Sequence, residues 1–311
     1  MPTAFLFPGQ GAQRAGMLGD LPLSETAVAA VMAEAKQVLD RPLTGLDTEE
    51  SLRSTTSVQL CLLIAGVATA RALQARGVVP DYVAGHSVGA FGAAVISGSL
   101  AFADALRLVR LRGQLMARAY PTGYGMAAVM GLRETGLLAL LAVHNQTDSP
   151  LYLANSNAAD QQVVAGRLDS LAAFTQQLLA TGAARSAKVL EVAVPSHCVL
   201  LAEVAEQLQR ALAEVPLAEP TLPTVANHTG RMLRTAAAIR HDLGVSVAQP
   251  VRWYDATTLL YELGTRLFIE LQPGTVLTRL AEAAFPDAEL LPAADYSLDT
   301  IAYRWHHRRP A

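Results

Sequence analysis

Short apolar runs alternate with stretches of helical periodicity from the start of the chain. Residues 3–7 (TAFLF) form an apolar run of strand length that stops at Pro8. Residues 55–77 (TTSVQLCLLIAGVATARALQARG) predict a long helix, with Thr56 and Gln59 spaced as a capping box and Gly77 as its stop. Residues 81–85 (DYVAG) predict the next strand, and a run of small residues after a tight turn predicts a helix to Gly98. A further helix over 102–121 (FADALRLVRLRGQLMARAYP) ends at Pro121. Elements in this order predict an α/β domain whose parallel sheet is covered by helices.

The rhythm changes near residue 124. MAAVMGL reads as strand, RETGLLALLAVH as helix, and LYLAN and QQVVAG as two strands joined by a polar turn. LDSLAAFTQQLLATG is then a helix and AKVLEVAV a strand. The order βαββαβ is that of a ferredoxin-like unit. It predicts an inserted small domain over 124–194, within a large domain formed by 1–123 and 195–311. After Pro195, CVLLAEVAEQLQRALAEV reads as a helix, and TRLFIEL as a strand running into a QPG turn and another helix. A cleft between large domain and insert is the natural place for a ligand.

Composition narrows the class. The chain has 311 residues, 51% hydrophobic and 16% charged, with a formal net charge of −3. That length can bury a large core, and that charge argues against nucleic acid as partner. The one concentrated basic cluster, the tail YRWHHRRP, reads as a solvated terminus. Two cysteines, Cys61 and Cys198, without metal-ligand spacing, argue against a disulfide scaffold or a zinc site and fit a reducing cytoplasm. MPTAFLFPGQG lacks the basic start of a signal peptide, and apolar stretches such as LCLLIAGVATA fall short of the roughly 20 residues that cross a bilayer. A cytoplasmic protein with no membrane partner and no metal is expected.

The chemistry centres on GHSVG, residues 85–89, between a predicted strand and a predicted helix. Glycines flank a serine in this way when it sits on a strained strand-to-helix turn, where side chains on either side would clash. The helix N-terminus then directs free N–H groups at developing negative charge. Ser87 is therefore the candidate nucleophile, and a serine needs a base. Among the seven histidines, His306 and His307 lie in the tail and His144 ends a helix of the insert. His86 adjoins the serine, which normally points its ring elsewhere. His197, in VAVPSHC, lies where the insert returns to the large domain, and it is the favoured base; capping the following helix is its alternative role.

One arginine is out of place. Arg112 has Leu108, Val109, Leu115 and Met116 at its helical i±3 and i±4 positions, whereas Arg107, Arg110, Gln114 and Arg118 share the other face. Arg112 therefore points into the protein, where an unpartnered guanidinium is too costly to keep. Its partner is either a structural Asp or Glu or a substrate carboxylate held by two parallel hydrogen bonds.

FPGQGAQ, GHSVGAF, RLRGQLM, VPSHC, QPVRW and LQPGTVL occur in the order and spacing of the malonyl-CoA:acyl carrier protein transacylases, and the chain resembles that family over nearly its whole length. FPGQGAQRAGML, LRSTTSVQLCLLIAGVA and AYPTGYGMAAVMGL look closest to one branch, the epsilon subunit of biotin-independent malonate decarboxylase. The resemblance implies a large α/β-hydrolase-like domain with a mainly parallel sheet and the ferredoxin-like insert. It implies a ping-pong malonyl transfer in which Ser87 is acylated by malonyl-CoA while His197 takes its proton. The oxyanion would sit on the backbone N–H groups of Gln10 and Val88, and Arg112 would hold the free carboxylate. A carbonyl near Ser246 would orient His197, with His86, Met116, Asn155 and Asn157 in supporting places. No bound cofactor is implied. The acceptor would be the thiol arm of an acyl carrier protein, in the decarboxylase a phosphoribosyl-dephospho-CoA arm beside the other decarboxylase subunits. The alternatives are a transacylase of fatty-acid or polyketide synthesis, a serine esterase or thioesterase, and a non-catalytic carrier-binding subunit.

Overall fold

A computed structural model describes residues 1–146, 149–192 and 194–307. The strands are β1 (Thr3–Phe7), β2 (Tyr82–Gly85), β3 (Tyr124–Met130), β4 (Tyr152–Ala158), β5 (Gln161–Arg167), β6 (Ser186–Val189), β7 (Thr224–Val225), β8 (Met232–Leu233), β9 (Leu267–Glu270) and β10 (Glu289–Pro292). The helices are α1 (Thr26–Leu39), α2 (Thr55–Ala75), α3 (Gly89–Ile96), α4 (Phe102–Ala119), α5 (Glu134–His144), α6 (Leu168–Ala180), α7 (Ala202–Ala213), α8 (Ala236–Val245), α9 (Trp253–Glu262), α10 (Val276–Ala284) and α11 (Leu298–His306).

The larger sheet runs β10-β9-β1-β2-β7-β8 and is parallel except where β8 turns back on β7. Its central strand shows why the layers form. Alternate side chains of a strand face opposite sides. Phe5 and Phe7 enter the core shared by α1, α2, α3 and α4, while Ala4 and Leu6 enter a second core with Trp253, Leu260 and Leu277. A strand covered on both faces reads as an unbroken apolar run, as TAFLF does.

Helix α2 spans 21 residues and is long and apolar enough to cross a bilayer. That corrects the expectation drawn from its apolar stretches. Nearly all of it is buried inside the fold, which is why its apolar residues encircle it. The expected capping box at Thr56 and Gln59 does not form: the N-cap is Ser54, two residues before Thr56, and Gln59 is turned inward.

The smaller sheet is antiparallel in the order β4-β5-β3-β6, with α5 and α6 on one face. This is the ferredoxin-like arrangement that βαββαβ predicts. The last strand is shorter than AKVLEVAV, because pairing with β3 ends at Val189, and Ala193 lies outside the described residues. The other face of the sheet, with Met126, Val163 and Ala165, turns towards the large unit and packs on Cys198. The two units are also stitched by backbone: Val251 N–H donates to the Ala154 carbonyl (2.9 Å) and Ser156 N–H to the Val251 carbonyl (2.8 Å).

The described part of the tail is solvated as expected at Tyr303, Arg304, His306 and His307, and only Trp305 is partly covered. The first part of the tail continues α11, where Trp305 Nε1 donates to Thr3 Oγ1 at 3.2 Å; Arg308, Arg309 and Pro310 lie outside the described residues.

Candidate active site

Ser87 sits between β2 and α3 with φ at +55°, a left-handed conformation that a side-chain-bearing residue holds only under constraint. The flanking glycines make the turn possible. A Cβ at Gly85 would lie 2.1 Å from the Gly89 carbonyl carbon, and one at Gly89 would lie 2.2 Å from the Phe7 carbonyl oxygen. Both obstacles are backbone. Gly89→Ala is therefore expected to cost about 3 kcal/mol or more of stability, the upper end for overpacking. Thermal melts and residual acylation would check this, and a variant with native melting would refute it.

His197 lies 110 residues further on, at φ +63°, on the loop that returns from the insert. Its Nε2 is 2.7 Å from Ser87 Oγ, and its Nδ1 is 2.6 Å from the Ser246 carbonyl oxygen. A carbonyl can only accept, so Nδ1 carries the proton and Nε2 presents its lone pair to the serine hydroxyl. The ring's orienting partner is thus main chain, not a carboxylate. Its backbone N–H also donates to the Val247 carbonyl, at 2.8 Å.

Arg112 is 1% exposed, as its helical neighbours predict. Its Nη2 donates to Ser87 Oγ at 3.1 Å, its Nε is buried with no acceptor, and among the described residues it makes no ion pair. Burial lowers its pKa from the usual guanidinium range to about 10, which leaves it charged at neutral pH. A buried cation without its anion, touching the candidate nucleophile, has its free N–H groups ready for a ligand.

Burial, and secondarily the charge of Arg112 and the nearness of His86, depress His197 from 6.5 to about 3, against the opposing pull of the Ser246 carbonyl. The free base therefore persists well below the usual histidine range. The pH dependence of kcat/KM, which reports the free enzyme, is expected to show its acidic limb well below pH 6.5. Folding stability moves the same way. The unfolded chain binds this proton more readily, so the contribution of His197 is fully present above its unfolded pKa and is lost as pH falls from 6.5 towards about 3. A limb at the ordinary histidine value would contradict the depression.

These groups surround a cavity of about 130 Å³. Gln10, Val88, His86, Met116, Asn155 and Asn157 all line it beside Ser87, His197 and Arg112. Every candidate residue is thus at the cavity, except Ser246, which reaches it through His197. Among the described residues, neither the Gln10 nor the Val88 amide donates to a protein acceptor. His86 turns towards the insert: its Nε2 is 3.1 Å from Asn157 Oδ1 and 3.4 Å from Asn155 Nδ2, and its ring meets Trp253 edge-on. Burial lowers its pKa.

Five further residues shape the site without a clear signal in the sequence. Gln59 lines the cavity, donates to Met116 Sδ (3.3 Å) and leaves its Oε1 buried without a partner. A glutamine within an apolar helical run is the available signal, although its spacing from Thr56 also fits a cap. Val276, Leu277 and Leu280 close one wall from α10, and Asn227 bonds to the serine turn from a loop whose sequence carries no periodicity. Among the described residues, no group of three or more His, Cys, Asp or Glu side chains is arranged to hold a metal ion.

The family model of the acyl transferase domain matches residues 4–309. The malonyl CoA-acyl carrier protein transacylase of Escherichia coli (strain K12) is 37% identical over 286 residues, covering 90% of this chain and 91% of that protein. The solved malonyl CoA-acyl carrier protein transacylase of Coxiella burnetii superposes with a TM-score of 0.92 at 32% identity, over 99% of this chain and 98% of that one. A malonyl-transacylase solved in complex with its type II PKS acyl-carrier protein superposes with a TM-score of 0.91 at 34% identity, over 97% and 99% of the two chains.

Proposed function

Because the chain belongs to the acyl transferase domain family and, within it, to the malonyl-CoA:acyl carrier protein transacylases, we propose that it moves malonyl from malonyl-CoA through an ester on Ser87 to the thiol of an acyl carrier protein. The observation that carries the reading is the buried Arg112 guanidinium, without an ion-pair partner among the described residues and 3.1 Å from a serine hydroxyl that also meets a neutral histidine at 2.7 Å.

In this reading the Arg112 fork receives the free carboxylate and sets the thioester carbonyl beside Ser87. Oγ attacks the carbonyl carbon as its proton passes to His197 Nε2. The oxyanion is met by the amides of Gln10 and Val88, and the Ser246 carbonyl stabilises the imidazolium through Nδ1–H. Collapse expels the CoA sulfur, which takes the proton from Nε2. The carrier thiol then gives its proton to Nε2 and its sulfur attacks the ester, and Ser87 recovers the proton as it leaves. The large unit (1–123 and 195–311) supplies the chemistry, and the insert (124–194) covers the cleft. A cytoplasmic location suits both substrates.

The relatives bear on which transferase this is. They support a transacylase of the fatty-acid or polyketide type, acting with an acyl carrier protein, better than the expected malonate decarboxylase subunit with its phosphoribosyl-dephospho-CoA arm. An esterase of the three-residue kind would orient its histidine with an acid, and here that place is held by a carbonyl.

Mass spectrometry after separate exposure to malonyl-CoA and acetyl-CoA tests the reading. A malonyl adduct on Ser87, discharged by a carrier-protein thiol, with little acetyl adduct, is expected. Equal labelling by both thioesters, or an adduct elsewhere, would overturn it.

A further inference from the structure

We propose that Asn227 is the positioning residue of the serine turn, its carboxamide standing in for the backbone partners that the turn forfeits. The inference rests on Ser87 being the acylated residue. At φ +55° the Ser87 N–H can serve neither the ladder of β2 nor the first turn of α3. Asn227 Oδ1 accepts from that N–H at 2.7 Å, and Asn227 Nδ2 donates to the Gly85 carbonyl, two residues back, at 2.9 Å. One planar group thus clamps both sides of the bend that aims Oγ at His197. It also occupies the Ser87 amide, leaving those of Gln10 and Val88 for an oxyanion.

Asn227 is itself fixed. It is 3% exposed, its own N–H donates to Asp242 Oδ2 at 3.0 Å, and its carbonyl accepts from Arg252 N–H at 2.7 Å. Asp242, on α8 and 2% exposed, also accepts from the His228 N–H (3.2 Å) and lies 2.6 Å from His228 Nδ1. Arg252 in turn pairs with Glu134 of the insert at 2.6 Å. The turn is therefore referenced to α8 and to the insert at once. A conformation of this kind persists only where its surroundings over-determine it.

Acyl-enzyme formation from malonyl-CoA, followed by rapid quench and mass spectrometry, tests this in Asn227→Ala, Asn227→Asp and Ser87→Ala. Asn227→Ala is expected to slow acylation roughly 10²-fold, the cost of an ångström-scale misplacement, with little change in KM or in malonyl preference. Asn227→Asp keeps the acceptor for Ser87 N–H, and its protonated form also donates to the Gly85 carbonyl. It is expected to recover activity at acidic pH and lose it as the carboxyl ionises, a limb the parent protein lacks. Asp242, His228, Arg252 and, within the clamped turn, His86 are the titratable and charged neighbours of this position, and substitution of Asp242 or His228 should displace that limb. Acylation by Asn227→Ala close to the parent rate would overturn the proposal, as would an Asn227→Asp profile without the extra limb. If Asn227→Ala fails to fold, the Asn227→Asp profile decides alone. A malonyl adduct persisting in Ser87→Ala would overturn instead the reading on which the inference rests.

Discussion

His197→Ala is expected to reduce malonyl transfer by about 10⁴- to 10⁶-fold, and Ser87→Ala and the double variant by no more than that. The two side chains act as one device: Oγ is a weak nucleophile until Nε2, 2.7 Å away, accepts its proton. With either gone, the other has nothing to do, so their losses do not add. The base does not depend on a buried acid. Its Nδ1–H is held by the Ser246 carbonyl, and burial, with Arg112 second, keeps the free ring neutral. Burst amplitude and steady-state transfer should fall together in all three variants. Additive losses would mean that serine and histidine work in separate steps.

Arg112→Met is expected to lower kcat/KM for malonyl-CoA by roughly 10²- to 10³-fold, level it with acetyl-CoA, and leave the melting temperature unchanged or higher. In the free protein the guanidinium is 1% exposed, with no ion-pair partner among the described residues, so only its hydrogen bond to Ser87 Oγ offsets its desolvation. An apolar side chain of similar length removes that cost, which is why replacing buried ions by well-packed apolar groups is often neutral or stabilising. The malonyl carboxylate, by contrast, would be buried without its cation, a loss of about 3–5 kcal/mol for a broken buried pair. Stability and specificity should therefore move in opposite directions. Competition between the two thioesters and a thermal melt on the same preparations would measure both. A variant still preferring malonyl would place the specificity elsewhere, and one that melts far below the parent would show that the cation has a structural partner.

What could be read along the chain was whatever periodicity and local chemistry encode. TAFLF and DYVAG became adjacent parallel strands, Phe5 beside Val83, because an unbroken apolar run suits a strand covered on both faces. The inward turn of Arg112 was legible because its i±3 and i±4 neighbours are set by the helix alone. The serine turn was legible because its steric demand falls on residues two positions away. Elements with weaker signals were passed over. β7 and β8 have two residues each, and α11 announced itself only through Ser297, whose hydroxyl accepts from the Thr300 N–H. Gln59 was misread as a cap, since a spacing that suits a capping box also fits a polar residue facing a cavity.

The sequence by itself determined the strands and helices that carry the site, the bent serine and the inward cation, because each depends on atoms within a turn or two of chain. Only the tertiary structure decided that Nδ1 of His197 meets a carbonyl, that no acid among the described residues neutralises Arg112, and that Asn227 reaches both sides of the turn from 140 residues away. Those pairings depend on which surfaces the folded cores bring together, and no local pattern carries that distance.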